Sequence, residues 1–228
     1  MDKREVFSQT PVGRNFSRLH QMTPFTKYNY FKLSIIDDNI ENVFKNFKQY
    51  LSENDDKFKS QTKTKIDFDL ICDKTELDYN GDFKFMLFEP LTNPSKTVFF
   101  TNLSDGWYTA VYNYARLFKK DIYQIGLTTN KKLKQYPAYF FIKFFYSDKD
   151  EYQQRVVHLI KENTWTFYEN SDKVKPLEIE TIENYNLKRK TDRLNTEIIL
   201  DYMKKAGFDL TDDNFFKTNS GVYYCKLH

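Results

Sequence analysis

The chain has 228 residues, and its 35 Lys and Arg against 32 Asp and Glu give a formal net charge of +3. So close a balance supplies no field strong enough to steer nucleic acid or anionic lipid, and reads instead as a mixed, solvated surface. Hydrophobic residues make up only 40%, but 22 Phe and 17 Tyr enlarge the area that each buried side chain removes from water, so one sizeable core or two small ones can form. No apolar run approaches the ~20 residues of a membrane-spanning helix. The start Met1-Asp2-Lys3-Arg4-Glu5 has no apolar leader run, so the expected location is cytoplasmic. The two cysteines, Cys72 and Cys225, lie far apart in apolar strand-like runs and form no CxxC or Cys/His cluster.

Residues 1–25 hold Pro11, Gly13 and Pro24 without a sustained period, and are expected to be an N-terminal arm. Residues 26–228 are expected to form a single α+β domain, with 26–94 and 95–228 as its two candidate halves. Tyr28–Ile36 alternates loosely, as a strand does. Asp38 and Glu41 then have the spacing of a capping box. The helix they open runs to about Leu51, with Ile40, Val43, Phe44, Phe47 and Leu51 on one stripe.

Asn54–Lys63 is polar and reads as a loop, whereas Lys65–Cys72 alternates cleanly with Ile66, Phe68, Leu70 and Cys72 on one face. Asn80-Gly81 is the strongest hairpin signal, pairing Glu76–Tyr79 with Asp82–Glu89. Thr97–Leu127 follows as a strand, a polar cap at Ser104-Asp105-Gly106, a helix and a second strand. The helix has Trp107, Ala110, Val111, Tyr114 and Phe118 on its apolar stripe. The element order from 28 to 89 resembles that from 97 to 146, which suggests a βαββ pseudo-repeat.

A basic loop at Asn130–Lys134 leads to Ala138–Tyr146, an almost unbroken aromatic and aliphatic run that fits a strand covered on both faces. Gln153–Ile160 and Thr164–Tyr168 read as a hairpin completing an antiparallel meander. A short helix is expected from Glu178. Thr191-Asp192 should cap a final helix that Gly207 ends, and Gly221–Leu227 should add an edge strand. The fold class is therefore α+β, a mainly antiparallel twisted sheet with amphipathic helices packed on one face.

Three groups of side chains carry the functional expectations. On the outer face of the central helix, Tyr108, Tyr112 and Arg116 stand apart from its apolar stripe, and Trp165 and Tyr168 follow in the hairpin. Tyr and Arg suit protein interfaces because they bury area with little entropy loss and keep a polar handle. Lys188, Arg189 and Arg193 form the densest basic cluster. These eight residues are the candidate interface.

Asp67 and Asp69 place two carboxylates on one face of the expected strand, a weak alternative as a metal pair. No two of His20, His158 and His228 have metal-ligand spacing, and the six glycines form no phosphate cradle, so no cofactor is expected. The leading expectation is a non-catalytic intracellular protein that binds another protein, with an immunity-type or phage counter-defence inhibitor as one specialisation. The alternatives are a metal-dependent enzyme acting on nucleic acid or nucleotides, and a nucleic-acid-binding module.

Overall fold

Strand β1, Tyr30–Ile36, lies at the centre of the architecture because both of its edges are taken by strands far away in the chain. The computed structural model describes residues 28, 30–53, 58–63, 65–71, 83–129 and 138–227. Helix α1 (Ile40–Glu53) follows β1, then β2 (Phe58–Lys63), β3 (Lys84–Phe88) and β4 (Thr97–Thr101). Helix α2 (Tyr108–Phe118) leads into β5 (Ile122–Thr128), β6 (Ala138–Tyr146), β7 (Tyr152–Lys161) and β8 (Trp165–Glu169). The chain closes with α3 (Lys190–Arg193), α4 (Thr196–Lys205) and β9 (Val222–Leu227). Among the described residues, nine strands join one antiparallel sheet in the order β2-β9-β3-β4-β1-β5-β6-β7-β8.

The strand order encodes two interleaved crossovers. β1 and β3 run parallel with β4 between them, while β4 and β5 run parallel with β1 between them. The core β1-α1-β3-β4-α2-β5 is thus two split βαβ units in the ferredoxin-like arrangement. Crossovers of the same hand in two such units put both helices on one face. They do share it: Val43, Phe47 and Leu51 of α1 and Val111 and Tyr114 of α2 lie in one cluster with Phe85, Phe99 and Ile122. The Phe47 ring stacks on Phe99 at 5.0 Å and on Tyr114 at 4.8 Å. The strands of the two candidate halves interlock in one sheet, in which β5 and β6 pair with each other whereas β9 separates β2 from β3.

The chain is α+β, as expected, but its helices are divided between the faces. α4 covers the side opposite α1 and α2, where Ile199, Tyr202 and Met203 pack on Phe141 and Ile125. Alternation along β1, β4 and β5 permits this, since both faces of each strand are buried. Among the described residues no helix is long and apolar enough to cross a membrane.

Several local expectations are corrected. Phe58–Lys63, read as loop, is an edge strand, because its ladder to β9 from Phe58↔Leu227 to Lys63↔Val222 outweighs its local composition. Residues 65–71, read as a strand, contain the 3-10 turn Phe68–Leu70, with the Asp67 carboxylate accepting the Asp69 N–H. The turn lies over the sheet and sets Phe68 against Phe31, Phe100 and Phe216, so an alternating pattern is satisfied without strand pairing. The tail strand β9 is internal, held between β3 and β2.

The cap of α1 is Asn39, whose side chain accepts the Asn42 N–H at 2.9 Å, while Asp38 pairs with Lys120. The final helix is broken in two where Leu194 and Asn195 adopt extended backbone, and Asn195 caps α4 by accepting the Ile198 N–H. The helix expected from Glu178 forms about four residues later, as a 3-10 turn over Ile182–Asn186. Gly207 ends α4 at φ +92°, with the 6→1 bond from Phe208 N–H to the Met203 carbonyl typical of a Schellman stop. Both edges of β3 are occupied, by β4 and β9. The arm 1–25, the Asn80-Gly81 turn and its first strand, the basic loop at 130–134, Cys72, His20 and His228 lie outside the described residues.

Candidate functional site

Helices α1 and α2 cover the central strands of their face, but the sheet extends beyond them through β6, β7 and β8. There β6 presents Ala138, Phe140 and Ile142, and β7 presents Ile160, His158 and Val156 directly opposite. The loop Ser104–Tyr108 at the start of α2 forms one wall. Together they enclose a groove of about 630 Å³, lined also by Tyr30 and Gln154. That volume and its apolar floor with a few polar groups match the usual character of a binding site.

Two glycines shape the groove. Gly126 of β5 pairs with Phe140, and a Cβ placed there would meet the Phe140 ring at 2.1 Å, so the ring lies across the bare backbone. Gly106 sits at φ +68°, where its carbonyl accepts a hydrogen bond from Gln124 Nε2 at 2.9 Å. A Cβ at Gly106 would stand 3.0 Å from that same nitrogen. The wall is further fixed by the Asp105 carboxylate, which accepts the Trp107 N–H at 2.9 Å. The Tyr108 hydroxyl exchanges hydrogen bonds with the Gln154 side chain, at 3.0 Å from Oε1 and 2.8 Å from Nε2.

Among the described residues, Asp105 is the one carboxylate that lines the groove, and no Lys or Arg does. Burial, and secondarily the Asp105 charge, push the Tyr30 hydroxyl above its ordinary value. Burial pushes the His158 imidazole below its ordinary value, and its ring packs on Tyr168 at 5.1 Å. The unfolded chain therefore binds more protons between the two His158 values. Stability carried by neutral His158 is complete above the ordinary histidine range and is lost as pH falls through the folded value. Thermal unfolding of H158Q and the parent between about pH 7 and pH 5 should show a shallower pH dependence in H158Q.

The candidate interface residues divide between the two faces. Tyr108, Tyr112 and Arg116 lie in a row over β6 and β7: Tyr112 meets Tyr152 edge-on at 5.6 Å, and Arg116 donates to the Tyr112 hydroxyl at 2.9 Å. Their half-burial against the chain's own sheet leaves Arg116 as the exposed member. Tyr168 stands on the same side, 42% exposed beside His158. Trp165 packs on the opposite side, where it and Arg189 line a polar cleft of about 440 Å³ with Lys161, Asp192 and Glu197. Arg189 faces Asp192 at 3.9 Å, and Arg193 donates to the Leu187 carbonyl at 2.6 Å. Lys188 is exposed.

Asp67 and Asp69 do not share a strand face, because they flank and form a turn. Asp67 caps that turn and Asp69 accepts the Tyr28 hydroxyl at 2.8 Å. Among the described residues no group of three or more His, Cys, Asp or Glu could hold a metal ion. Cys225 is buried in the helix-side core, and burial pushes its thiol up to about 12.

Of the candidate interface residues, Tyr108 and Tyr168 stand at the groove, and none belongs to its floor. A signal was present in Gly126, since a glycine inside a strand often marks a close approach of another group to the backbone. Comparison with protein-family models, curated proteins and solved structures finds no match.

Proposed function

We propose that this chain is a non-catalytic binding protein that recognises another protein, with the groove beside α2 over β6 and β7 as its contact surface. The observation that carries this reading is the preformed apolar floor, made possible by Gly126 beneath the Phe140 ring. Tyr30, Tyr108 and Tyr168 around that floor support it, because amphipathic rings bury area while their hydroxyls keep polar contacts. An inhibitory role, immunity-type or phage counter-defence, is one use such a surface would serve.

The test is affinity recovery from the native host with three versions of the chain. Val156 is half-buried on the groove floor, and Val156→Glu places a carboxylate where a partner must bury apolar area. Lys48→Ala, exposed on α1, is the control. A partner retained by the parent and by K48A should be lost from V156E by on the order of thirtyfold in affinity, with the melting temperature kept. Equal retention by V156E, or no protein retained by the parent, overturns the proposal.

A further inference from the structure

We infer that contact at the groove is gated by pH, because an apolar surface closes over His158 only while that imidazole is neutral; this rests on the groove being the contact surface. His158 stands in the middle of the floor. It projects from β7 between Val156 and Ile160 and lies opposite Phe140 of β6, and all four line the groove. On its other side Tyr168 of β8 pairs with it and holds its ring at 5.1 Å. Val156, His158 and Ile160 are each half-buried, so the floor leaves part of all three open. A partner that buries Val156 and Ile160 must therefore cover His158 as well.

Covering it costs little when it is neutral and much more when it is charged, since an imidazolium loses the water that still reaches it. Among the described residues, the ionisable groups that face it are Tyr168 from β8, Tyr30 from β1, and Asp105 and Tyr108 from the loop and first turn of α2. β6 sets only Ala138, Phe140 and Ile142 into the groove, and β7 adds the uncharged Gln154, Val156 and Ile160. Lys32, on the same face of β1, turns its ammonium towards the Asn102 carbonyl at 3.5 Å. Asp105 and the face of the Tyr168 ring would favour a cation, yet burial prevails and already disfavours the charged form. Closing the groove extends that burial. The contact is therefore strongest above the ordinary histidine range and weakens as pH falls through the value of the free protein. Linkage makes the effect reciprocal, so occupancy lowers the His158 pKa by the logarithm of the factor that protonation takes from affinity.

The probe is N-phenyl-1-naphthylamine, an apolar dye that stays uncharged in this range, titrated by fluorescence at about pH 7.5 and about pH 5. The parent should bind it about tenfold more weakly at the lower pH, the equivalent of one pKa unit, with near-UV circular dichroism unchanged. His158→Gln, whatever its own affinity, should bind the dye equally at both. An NMR titration of the His158 imidazole should show its midpoint lowered by about one unit at saturating dye. V156E should lose the dye at both pH values. Equal binding by the parent at the two pH values, with V156E still defective, overturns the gate and leaves the groove reading standing. A loss of equal size in H158Q overturns it too, because the titrating group then lies elsewhere. Dye binding indifferent to V156E, or none by the parent, removes the groove as an apolar site and the gate with it.

Discussion

Arg155→Met is expected to cost about 3–5 kcal/mol of folding stability, the range found when one partner of a buried ion pair is removed. Arg155 and Glu180 have fully buried side chains and meet in a two-point pair, Nε to Oε1 at 2.9 Å and Nη2 to Oε2 at 2.7 Å. The third guanidinium nitrogen, Nη1, donates to Glu169 at 2.7 Å and to Asn170 at 3.2 Å. Glu180 in turn accepts from the Tyr185 hydroxyl at 2.7 Å and the Leu177 N–H at 2.8 Å. Burial works against the charge on Arg155, but the hydrogen bonds from it to Glu180 and Glu169 outweigh that and hold its pKa above the usual range. Residues 170–187 contain no strand, so this side-chain network does for them what a backbone ladder does for β7 and β8.

Removing the cation strands the Glu180 carboxylate in that interior. Glu180→Gln should cost less, because Arg155 keeps Glu169 as a counter-charge. The double variant should then be more stable than the sum of the two losses implies, since neither charge is left alone. Urea unfolding at constant m-value reads all three differences. At this chain length the single change should lower Tm by on the order of 10 °C. A value for R155M within about 0.5 kcal/mol of the parent would show that the network contributes little.

What could be read from the sequence was what local period controls. The Phe-rich run at 138–146 became β6 with its predicted bounds, and the stripe of Ile40, Val43, Phe47 and Leu51 became the buried face of α1. Period fails where a partner far along the chain decides the outcome. Phe58–Lys63 is a strand only because β9 comes to it, and Ile66, Phe68 and Leu70 turn their alternating apolar groups inward from a 3-10 turn. The split crossovers are equally invisible locally, since they depend on β4 entering between β1 and β3. The groove inherits this limit. Tyr108 and Tyr168 could be singled out as amphipathic rings, but the register that sets Gly126 under Phe140 and His158 beside it is a property of three strands at once.

That register makes Gly126→Ala the sharper probe of the site. A methyl group at 126 would lie 2.1 Å from the Phe140 ring, far inside contact distance, so the ring must swing up into the groove or β5 must shift. Overpacking of this kind costs about 1–3 kcal/mol. Replacing a strand glycine returns about 0.5–1 kcal/mol of backbone entropy, which leaves a modest net loss. The effect on binding should be larger than the effect on stability, because the displaced ring occupies the space a partner's side chain needs. Phe140→Leu alone removes the ring and leaves the site underfilled. Combined with G126A, however, the shorter side chain makes room for the new methyl group, so the double variant should recover both stability and partner retention relative to G126A. A double-mutant cycle should give a coupling of at least about 1 kcal/mol between the two positions. Additive losses would mean that the ring and the glycine act independently, and the groove floor would then lose its structural basis.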